Sequence, residues 1–329
     1  MLDGSSAESS AKWVVAGRFG GRSVAVSGHG TRWRRWDLAT MRAVGDPIAG
    51  DGAWSTAVAL TTVGDRPVLV SGHTSVCVRD LETGELLRAP AESRSLVHLL
   101  RVARWDGRDV AITYHLNGCV HVWDLSTGEC VLGPLKDWAG TDAFLLHGDT
   151  VLAVIEDHPV GEDGDYDFDE IALVVWDFYE GTKVCPPLVG GGVGRGNLYP
   201  PVDLVSLPAG PALVSAAGGD GLIRIWDLAT GTRIGDPLGP GGDDCVTAVR
   251  AFAADGRTRV IAGTEEGTLQ TWELTAGAVS AGDPIAAHAD RIRGLVIAEV
   301  NGRTLALSAG SDPALRLWDL SALTPQPIR

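Results

Sequence analysis

Short apolar runs separated by turn-forming residues fill the chain from end to end. Leu295-Val296-Ile297 and Leu305-Ala306-Leu307, for example, lie on either side of Asn301-Gly302. An Asn-Gly or Asp-Gly pair between two apolar runs favours a β-hairpin, and runs that are almost entirely apolar are typical of strands buried on both faces. A turn signal that ends in arginine recurs at Gly20-Gly21-Arg22, Gly64-Asp65-Arg66, Asp106-Gly107-Arg108, Asp255-Gly256-Arg257 and Asn301-Gly302-Arg303.

A Trp-Asp pair closes a further apolar run in five places, and two degraded copies fill the gaps between them. The first residues of the seven pairs are 43 to 53 positions apart, which indicates one unit repeated along the whole chain. The seven pairs are Trp36-Asp37, Arg79-Asp80, Trp123-Asp124, Trp176-Asp177, Trp226-Asp227, Trp272-Glu273 and Trp318-Asp319.

Each repeat predicts four antiparallel strands. A glycine four residues past the acid, as in Leu81-Glu82-Thr83-Gly84, supplies the positive φ that a tight hairpin needs, so a fourth strand follows. About ten residues after the acid each repeat carries a proline, such as Pro47 or Pro134. Because proline cannot donate a hydrogen bond to a ladder, the fourth strand is predicted to be an outer edge. Seven such sheets bury their faces by stacking in a ring.

On these repeats the chain resembles the WD40 β-propeller family, from about Lys12 to Ile328. The resemblance implies an all-β, seven-bladed β-propeller of four-stranded antiparallel blades. We expect one domain over residues 11–329 behind an N-terminal leader of residues 1–10. The blades are expected at about residues 11–52, 53–93, 94–137, 138–197, 198–243, 244–288 and 289–329.

The resemblance also implies a hydrogen-bonded tetrad of His, Ser or Thr, Asp and Trp in a well-formed blade. The tetrad satisfies buried polar groups and carries no catalytic role. Blade 3 offers Thr113, Asn117 and Trp123 without the histidine, and the other incomplete blades keep fewer members. Blade 7 matches the tetrad with His288, Ser308, Asp312 and Trp318.

Charge makes some partners poor candidates. The 42 acidic and 27 basic residues give a formal net charge of −15, which repels nucleic-acid backbones and anionic membranes. We therefore expect neither nucleic acid nor membrane as a partner. Only three of the basic residues are lysines, and this bias is typical of a GC-rich bacterial genome of the actinobacterial type.

The cysteines and the N-terminus predict a cytoplasmic protein, which we also expect to be monomeric. The cysteines are odd in number, scattered and without a Cys-x-x-Cys pair, as reduced core thiols are. Residues 1–10 lack the basic start and apolar run of a signal peptide, and no stretch approaches transmembrane length. The five cysteines are Cys77, Cys119, Cys130, Cys185 and Cys245.

Blade 4 interrupts the repeat with an acidic insertion at residues 156–170 and a glycine-rich exit at 190–197. Long loops on a rigid scaffold are where function concentrates. Within the first, Asp163, Asp165, Asp167 and Asp169 precede Glu170 and alternate as the ligands of a calcium loop do. Phe168 stands where that loop needs glycine, and the twelfth position carries no glutamate. A solvated acidic loop is favoured, with Ca²⁺ binding as the alternative.

Other chemical motifs give no catalytic centre. His29, His73 and His115 share one turn position in blades 1 to 3, but equivalent positions in neighbouring blades should be too far apart for ligands about 2 Å from one zinc ion. Local turn hydrogen bonding is favoured for them. Residues 190–196 lack the Gly-Lys-Ser/Thr of a phosphate loop. No motif pairs a nucleophile with a base, so the sequence predicts no enzyme, no metal and no cofactor.

One position at the start of the inner strand carries large side chains that are enriched in protein-binding hot spots. In a propeller it rims the mouth of the central channel, on the face that also carries both insertions of blade 4. The competing interpretation is that these side chains only cover the channel. The candidates are Trp54, Trp138, Tyr199 and Arg291, with Tyr166 and Phe168 of the acidic insertion able to fold over a ligand.

The expected function is that of a non-enzymatic scaffold or adaptor that binds a protein or peptide. The acidic insertion favours a segment that bears lysine or arginine, because complementary charge raises encounter rates. Two alternatives stay open. One is a metal-dependent catalytic propeller, and the other is a sensing domain related to larger signalling proteins.

Overall fold

The computed structural model describes most of the chain and divides it into two compact units, residues 1–140 with 296–329 and residues 141–295. All regular structure within the described part is β-strand. The described residues are 13–29, 32–50, 57–88, 95–138, 140–157, 171–190, 201–216, 220–239, 241–242, 244–275, 278–312, 314–321 and 324–325.

The first unit holds the sheets of blades 1 to 3. Each is an antiparallel meander in chain order, inner strand first. Blade 1 consists of β1 (Trp13–Phe19), β2 (Arg22–His29), β3 (Arg32–Asp37), β4 (Arg42–Ala43) and β5 (Ile48–Ala49). Blade 2 consists of β6 (Ala57–Val63), β7 (Arg66–Gly72), β8 (Val76–Asp80) and β9 (Leu86–Arg88). Blade 3 consists of β10 (Val97–Trp105), β11 (Arg108–His115), β12 (Val120–Asp124) and β13 (Cys130–Leu135).

The second unit holds the sheets of blades 4 to 6. Blade 4 consists of β14 (Thr141–His147), β15 (Thr150–Asp157), β16 (Ala172–Asp177), β17 (Thr182–Lys183) and β18 (Leu188–Val189). Blade 5 consists of β19 (Val202–Leu207), β20 (Gly210–Ser215) and β21 (Arg224–Asp227), with single bridges from Leu238 and Arg233 at its outer edge. Blade 6 consists of β22 (Val246–Ala254), β23 (Arg257–Thr264), β24 (Thr268–Thr275), β25 (Ala278–Ala281) and β26 (Ile285–Ala286).

Blade 7 completes the set with β27 (Ile292–Val300), β28 (Arg303–Gly310), β29 (Leu315–Asp319) and β30 (Thr324–Pro325). The seven antiparallel sheets are the blades of an all-β, seven-bladed β-propeller, which confirms the predicted fold class. The expectation of a single domain stays a prediction.

The outer edge of the blades follows the prolines, as predicted. In blades 1, 4 and 6 the outer strand is split in two, and Pro47, Pro187 and Pro284 lie between the halves. Proline has no N–H to donate, so the ladder is interrupted there. In blade 7, β30 pairs with β29, whereas residues 326–329 of the predicted outer strand lie outside the described residues.

The Asn-Gly and Asp-Gly turns adopt the conformation that a two-residue hairpin requires. Asn301 and Gly302 have φ angles of 52° and 76°, and Asp255 and Gly256 have φ angles of 53° and 71°. Positive φ at both central residues is the mark of a type I′ turn, whose twist matches that of the flanking strands. Both turns therefore match the hairpins that the sequence predicts.

Apolar side chains fill the space between neighbouring sheets within each unit. Val70 and Val78 of blade 2 pack with Ala111 and Trp123 of blade 3 in one such layer. Thiols share this environment at Cys77, Cys119, Cys185 and Cys245, which are buried as expected. Cys130 is exposed instead, because it begins the outer-edge strand β13, so the expectation of a core thiol is wrong there.

The arginine of the first hairpin turn meets the acid of the Trp-Asp pair. In blade 2, Arg66 Nε lies 2.6 Å from Asp80 Oδ2, and in blade 6, Arg257 Nη1 lies 2.8 Å from Glu273 Oε1. The two hairpins lie at the same end of the antiparallel sheet, so residues far apart in sequence become neighbours. The same pairing joins Arg22 with Asp37, Arg108 with Asp124 and Arg303 with Asp319.

The acid of the pair also shapes the next turn. Asp80 Oδ1 accepts the backbone N–H groups of Glu82 at 2.8 Å and Thr83 at 2.7 Å. Burial alone would raise the pKa of the Asp80 carboxyl, but hydrogen bonds from the Thr83 backbone and from Arg66 outweigh it and lower the pKa. This acid therefore links two hairpins and stays charged.

Candidate functional site

The predicted rim residues are only partly described. Trp138 lies between β13 and β14 and is partly exposed. Arg291 directly precedes β27, and its Nη1 lies 3.7 Å from Glu265 Oε1. The other four candidates, Trp54, Tyr199, Tyr166 and Phe168, lie outside the described residues, as do the aspartates of the acidic insertion at 163–169.

Two leucines that the sequence did not single out lie exposed on blade 3. They occur where β10 begins and where β11 turns into β12, and we call this end of any blade its entry end. Leu96 is 40% exposed and Leu116 is 59% exposed. Leu116 N donates to Leu96 O over 3.0 Å, so the two residues are neighbours. Fixed backbone hydrogen bonds therefore hold an apolar patch in solvent.

The segment that carries Trp138 is tied to the same blade. Tyr114 Oη accepts the backbone N–H of Gly140 over 3.0 Å. Tyr114 is the second-last residue of β11, at the entry end of the blade. The hydrogen bond thus fixes the chain just after Trp138 at the entry end of blade 3.

A buried hydrogen-bonded network supports this end. Trp123 Nε1 donates to Thr113 Oγ1 over 2.9 Å, and Thr113 Oγ1 lies 2.9 Å from His115 Nε2. His115 Nδ1 lies 3.2 Å from Ser95 O. Thr113 and His115 are fully buried. The blade was predicted to lack its histidine, and the structure shows that His115, from the second strand, takes part instead.

Burial sets the protonation of the histidines in blade 3. It lowers the pKa of His115, and the neighbouring His121, 4.6 Å away between ring centroids, lowers it further. Burial likewise lowers the pKa of His121 and of His98. His121 in turn stacks on Trp123 at 5.7 Å. Burial therefore favours the neutral form of each of these rings.

The entry end of blade 4 carries a carboxyl pair in place of such a network. The pairing of β14 with β15 shifts by one residue between Thr141 and Ala143, which leaves Asp142 in a bulge. Asp142 Oδ2 accepts the backbone N–H of Glu156 over 2.6 Å. Burial, followed by the charge of Glu156, raises the pKa of Asp142 to about 7. Glu156 is also the first residue of the acidic insertion at 156–170.

Acidic side chains also surround the entry end of blade 6. Glu265 and Glu266 are exposed in the turn between β23 and β24, and Asp244 Oδ1 accepts the Glu266 N–H over 3.2 Å. Asp290 is exposed nearby along the chain, beside the ion pair of Arg291. The charge of Arg291 offsets one of these acids, so the end stays negative.

Blade 7 shows part of its predicted tetrad. Trp318 Nε1 donates to the buried Ser308 Oγ over 2.9 Å. Asp312 accepts from Arg316 Nη1 at 2.8 Å and from the Ala314 N–H at 3.1 Å. His288 is buried. The full four-membered chain stays a prediction.

Metal and membrane features are not found in the described part of the chain. There, no group of three or more His, Cys, Asp or Glu side chains is arranged to hold a metal ion. No helix capable of crossing a membrane occurs within the same residues. Of the three histidines weighed for zinc, His115 belongs to the network of blade 3, and the side chain of His29 lies outside the described residues.

Comparisons with known proteins give a fold and no family. No protein-family model matches the chain, and no curated protein matches it. Among solved structures it is similar to the computationally designed Ika8 protein, with 19% identity and a TM-score of 0.57 over 96% of this chain and 98% of that one. At this identity the likeness shows the fold alone. WD40 membership and a bacterial origin therefore stay predictions.

The roles of some of these residues could have been predicted from the sequence, whereas the roles of others could not. His115 follows Thr113 by two positions, and alternation along a strand puts such a pair on one face, so its role was readable. The exposure of Leu116 and the bulge at Asp142 had no such signal. Both depend on how the first and second strands of the blade pair at the entry end.

Proposed function

We propose that the protein is a non-enzymatic interaction scaffold that binds a protein or peptide segment at the entry end of blade 3. The observation that carries the proposal is the apolar pair Leu96 and Leu116, exposed at 40% and 59% beside the segment of Trp138. Contiguous apolar side chains that are held in solvent mark recognition sites more often than scattered ones do. The network of Thr113 and His115 pre-organises them, which lowers the entropic cost of binding.

Charge supports a partner segment that bears lysine or arginine. The chain as a whole has a formal charge of −15. Negative potential on a protein surface raises the encounter rate of basic segments and disfavours acidic ones.

The test is capture of partners from the native host, followed by calorimetric titration of each purified partner. Trp138→Ala and Leu116→Ala are each expected to weaken binding by about 2 kcal/mol, as hot-spot truncations do. The same loss is expected for Trp54→Ala. Affinity should also fall as salt is raised, because screening weakens the attraction of a basic segment.

Leu146→Ala is the matched control. Leu146 is exposed to 40%, as Leu96 is, but lies at the opposite end of its own blade, near the turn from β14 to β15. Its replacement is expected to leave binding unchanged. Full affinity of the Trp138→Ala, Leu116→Ala double variant, or a larger loss in Leu146→Ala, would contradict the proposed surface.

A further inference from the structure

Away from the entry ends, a cavity of about 180 Å³ lies between blades 2 and 3 in the first unit. Its wall is apolar, with two arginines and a serine at its edge. A volume of this size accommodates one leucine-sized side chain and is smaller than the pockets that hold drug-sized ligands. The lining residues are Val63, Arg66, Val68, Val78, Leu87, Arg88, Leu125 and Ser126.

The equivalent groove between blades 1 and 2 shows how the molecule fills such a space with its own side chain. Arg35 lies two residues before the acid of its repeat, as Val78 does in blade 2. Arg35 is buried, and its Nη1 donates to Leu81 O over 3.0 Å and to Glu82 O. With valine at the equivalent position, the next groove lacks this side chain and contains the cavity.

The two arginines at the edge differ in how their charge is balanced. Arg66 Nε lies 2.6 Å from the buried Asp80 carboxylate, so its charge is compensated. Arg88 donates to two backbone carbonyls, Ser126 O at 3.1 Å and Leu87 O at 2.7 Å. Among the described residues Arg88 makes no ion pair. The Arg88 guanidinium therefore has further N–H donors available at the mouth of the apolar cavity.

We infer that this lateral cavity is a docking site for one leucine-like side chain of a partner segment, flanked by a carboxylate that pairs with Arg88. The apolar wall selects the side chain, because moving the apolar surface of a leucine out of water is favourable and requires no hydrogen-bond partner. The guanidinium selects the charge, since arginine recognises carboxylates through paired donors. This site prefers an acidic segment, the opposite of the one proposed for the entry end of blade 3, and does not depend on that proposal.

The probe is the blocked tripeptide Glu-Leu-Glu, titrated into the full protein at about 0.15 M salt, where long-range repulsion is screened. The readout is methyl chemical shift in two-dimensional NMR, which locates binding by residue. Shifts are expected at Val63, Val78, Leu87 and Leu125. Glu-Ala-Glu, which lacks the leucine, and Lys-Leu-Lys, which carries the opposite charge, are each expected to bind at least tenfold more weakly.

Two variants and a control test the location. Val78→Arg places in blade 2 the residue that blade 1 already accommodates as Arg35, so it should fill the cavity and abolish binding. Arg88→Gln changes an exposed side chain and should weaken binding about tenfold. Arg233→Gln, an exposed arginine at the outer edge of blade 5, should have no effect. Shifts outside the cavity, equal binding of Lys-Leu-Lys, or unchanged binding in Arg88→Gln would overturn the inference.

Discussion

Blades 3 and 4 have equivalent strand pairing but surround their tryptophans differently. Trp123 pairs with Ala111 in blade 3, and Trp176 pairs with Ala153 in blade 4. Yet Trp123 donates to Thr113, whereas the position equivalent to Thr113 in blade 4 is Ile155. Since register is the same with and without the threonine, apolar burial of the central strands sets the register. The hydrogen-bonded network instead stabilises the entry end.

Blade 4, which lacks the hydrogen-bonded network, differs from blade 3 in the surroundings of its tryptophan and in its entry end. Trp176 is less buried than Trp123, and Lys183 Nζ lies 5.3 Å from the centre of its ring. At the entry end, the bulged Asp142 accepts a hydrogen bond from the backbone N–H of Glu156. Glu156 is the first residue of the acidic insertion. Blade 3, with its network intact, keeps a short turn. The comparison indicates that a blade without the network tolerates a long loop and an ionisable pair.

The largest expected effect is from Thr113→Val. The change keeps the shape of the side chain but removes the partner of both Trp123 Nε1 and His115 Nε2. Two buried polar groups are left unsatisfied, so the free energy of unfolding should fall by about 3 kcal/mol. Urea denaturation, followed by tryptophan fluorescence, measures it.

Ile155→Val in blade 4 is the control for that substitution. It removes one methylene at the equivalent position and breaks no hydrogen bond, so a loss of about 1 kcal/mol is expected. Equal losses in the two variants would show that Thr113 acts through packing alone and would remove the distinction between the blades.

Asp142→Asn should stabilise the protein at alkaline pH. The pKa of Asp142 is raised to about 7 from an ordinary 3.8, so above pH 7 the folded chain holds a charge that burial disfavours. Asparagine keeps an oxygen for the Glu156 N–H without that charge. We expect a gain of about 2 kcal/mol at pH 8, shrinking as the pH falls below 7, where the folded carboxyl takes up a proton.

Denaturation of both proteins at pH 8, 6.5 and 5 measures this change. Asp157→Asn serves as the control, because Asp157 is the exposed last residue of β15, directly after Glu156. A gain that is independent of pH, or one equal to that of the control, would contradict the charge explanation.

His115 should give blade 3 the opposite pH dependence, with a smaller magnitude. Burial holds its pKa below the ordinary 6.5, so the unfolded chain binds this proton more tightly than the folded chain. Its contribution to stability is fully present above pH 6.5 and is lost as the pH falls. Between pH 7.5 and 5.5, His115→Gln should lose about 1 kcal/mol less stability than the wild type does.

The exposed His147 of blade 4 provides a histidine for comparison. The same pH series on His147→Gln controls for the replacement of a histidine by glutamine. If His115→Gln and the wild type lost stability in parallel as the pH fell, the buried ring would not be the cause.

Much of the fold could be predicted because its determinants are local. Asn301-Gly302 fixes a hairpin through its own φ angles, and Pro47 interrupts an outer strand through its missing N–H. The candidate site could be predicted only in part. Trp138 was identified by comparing the repeats. Leu116 could not be distinguished from other apolar residues, because the exposure of its side chain depends on which strands pack over it.

The sequence alone determined the all-β class, the seven repeats and the four strands of each, since strand period, turn residues and repeat length act over a few positions. Only the tertiary structure decided that His115 completes a network, that Asp142 meets Glu156 in a bulge, and that Val78 leaves a cavity where Arg35 fills one. Each of these depends on side chains from different strands meeting at contact distance. That meeting is set by packing between strands and sheets, which the order of residues along one strand does not encode.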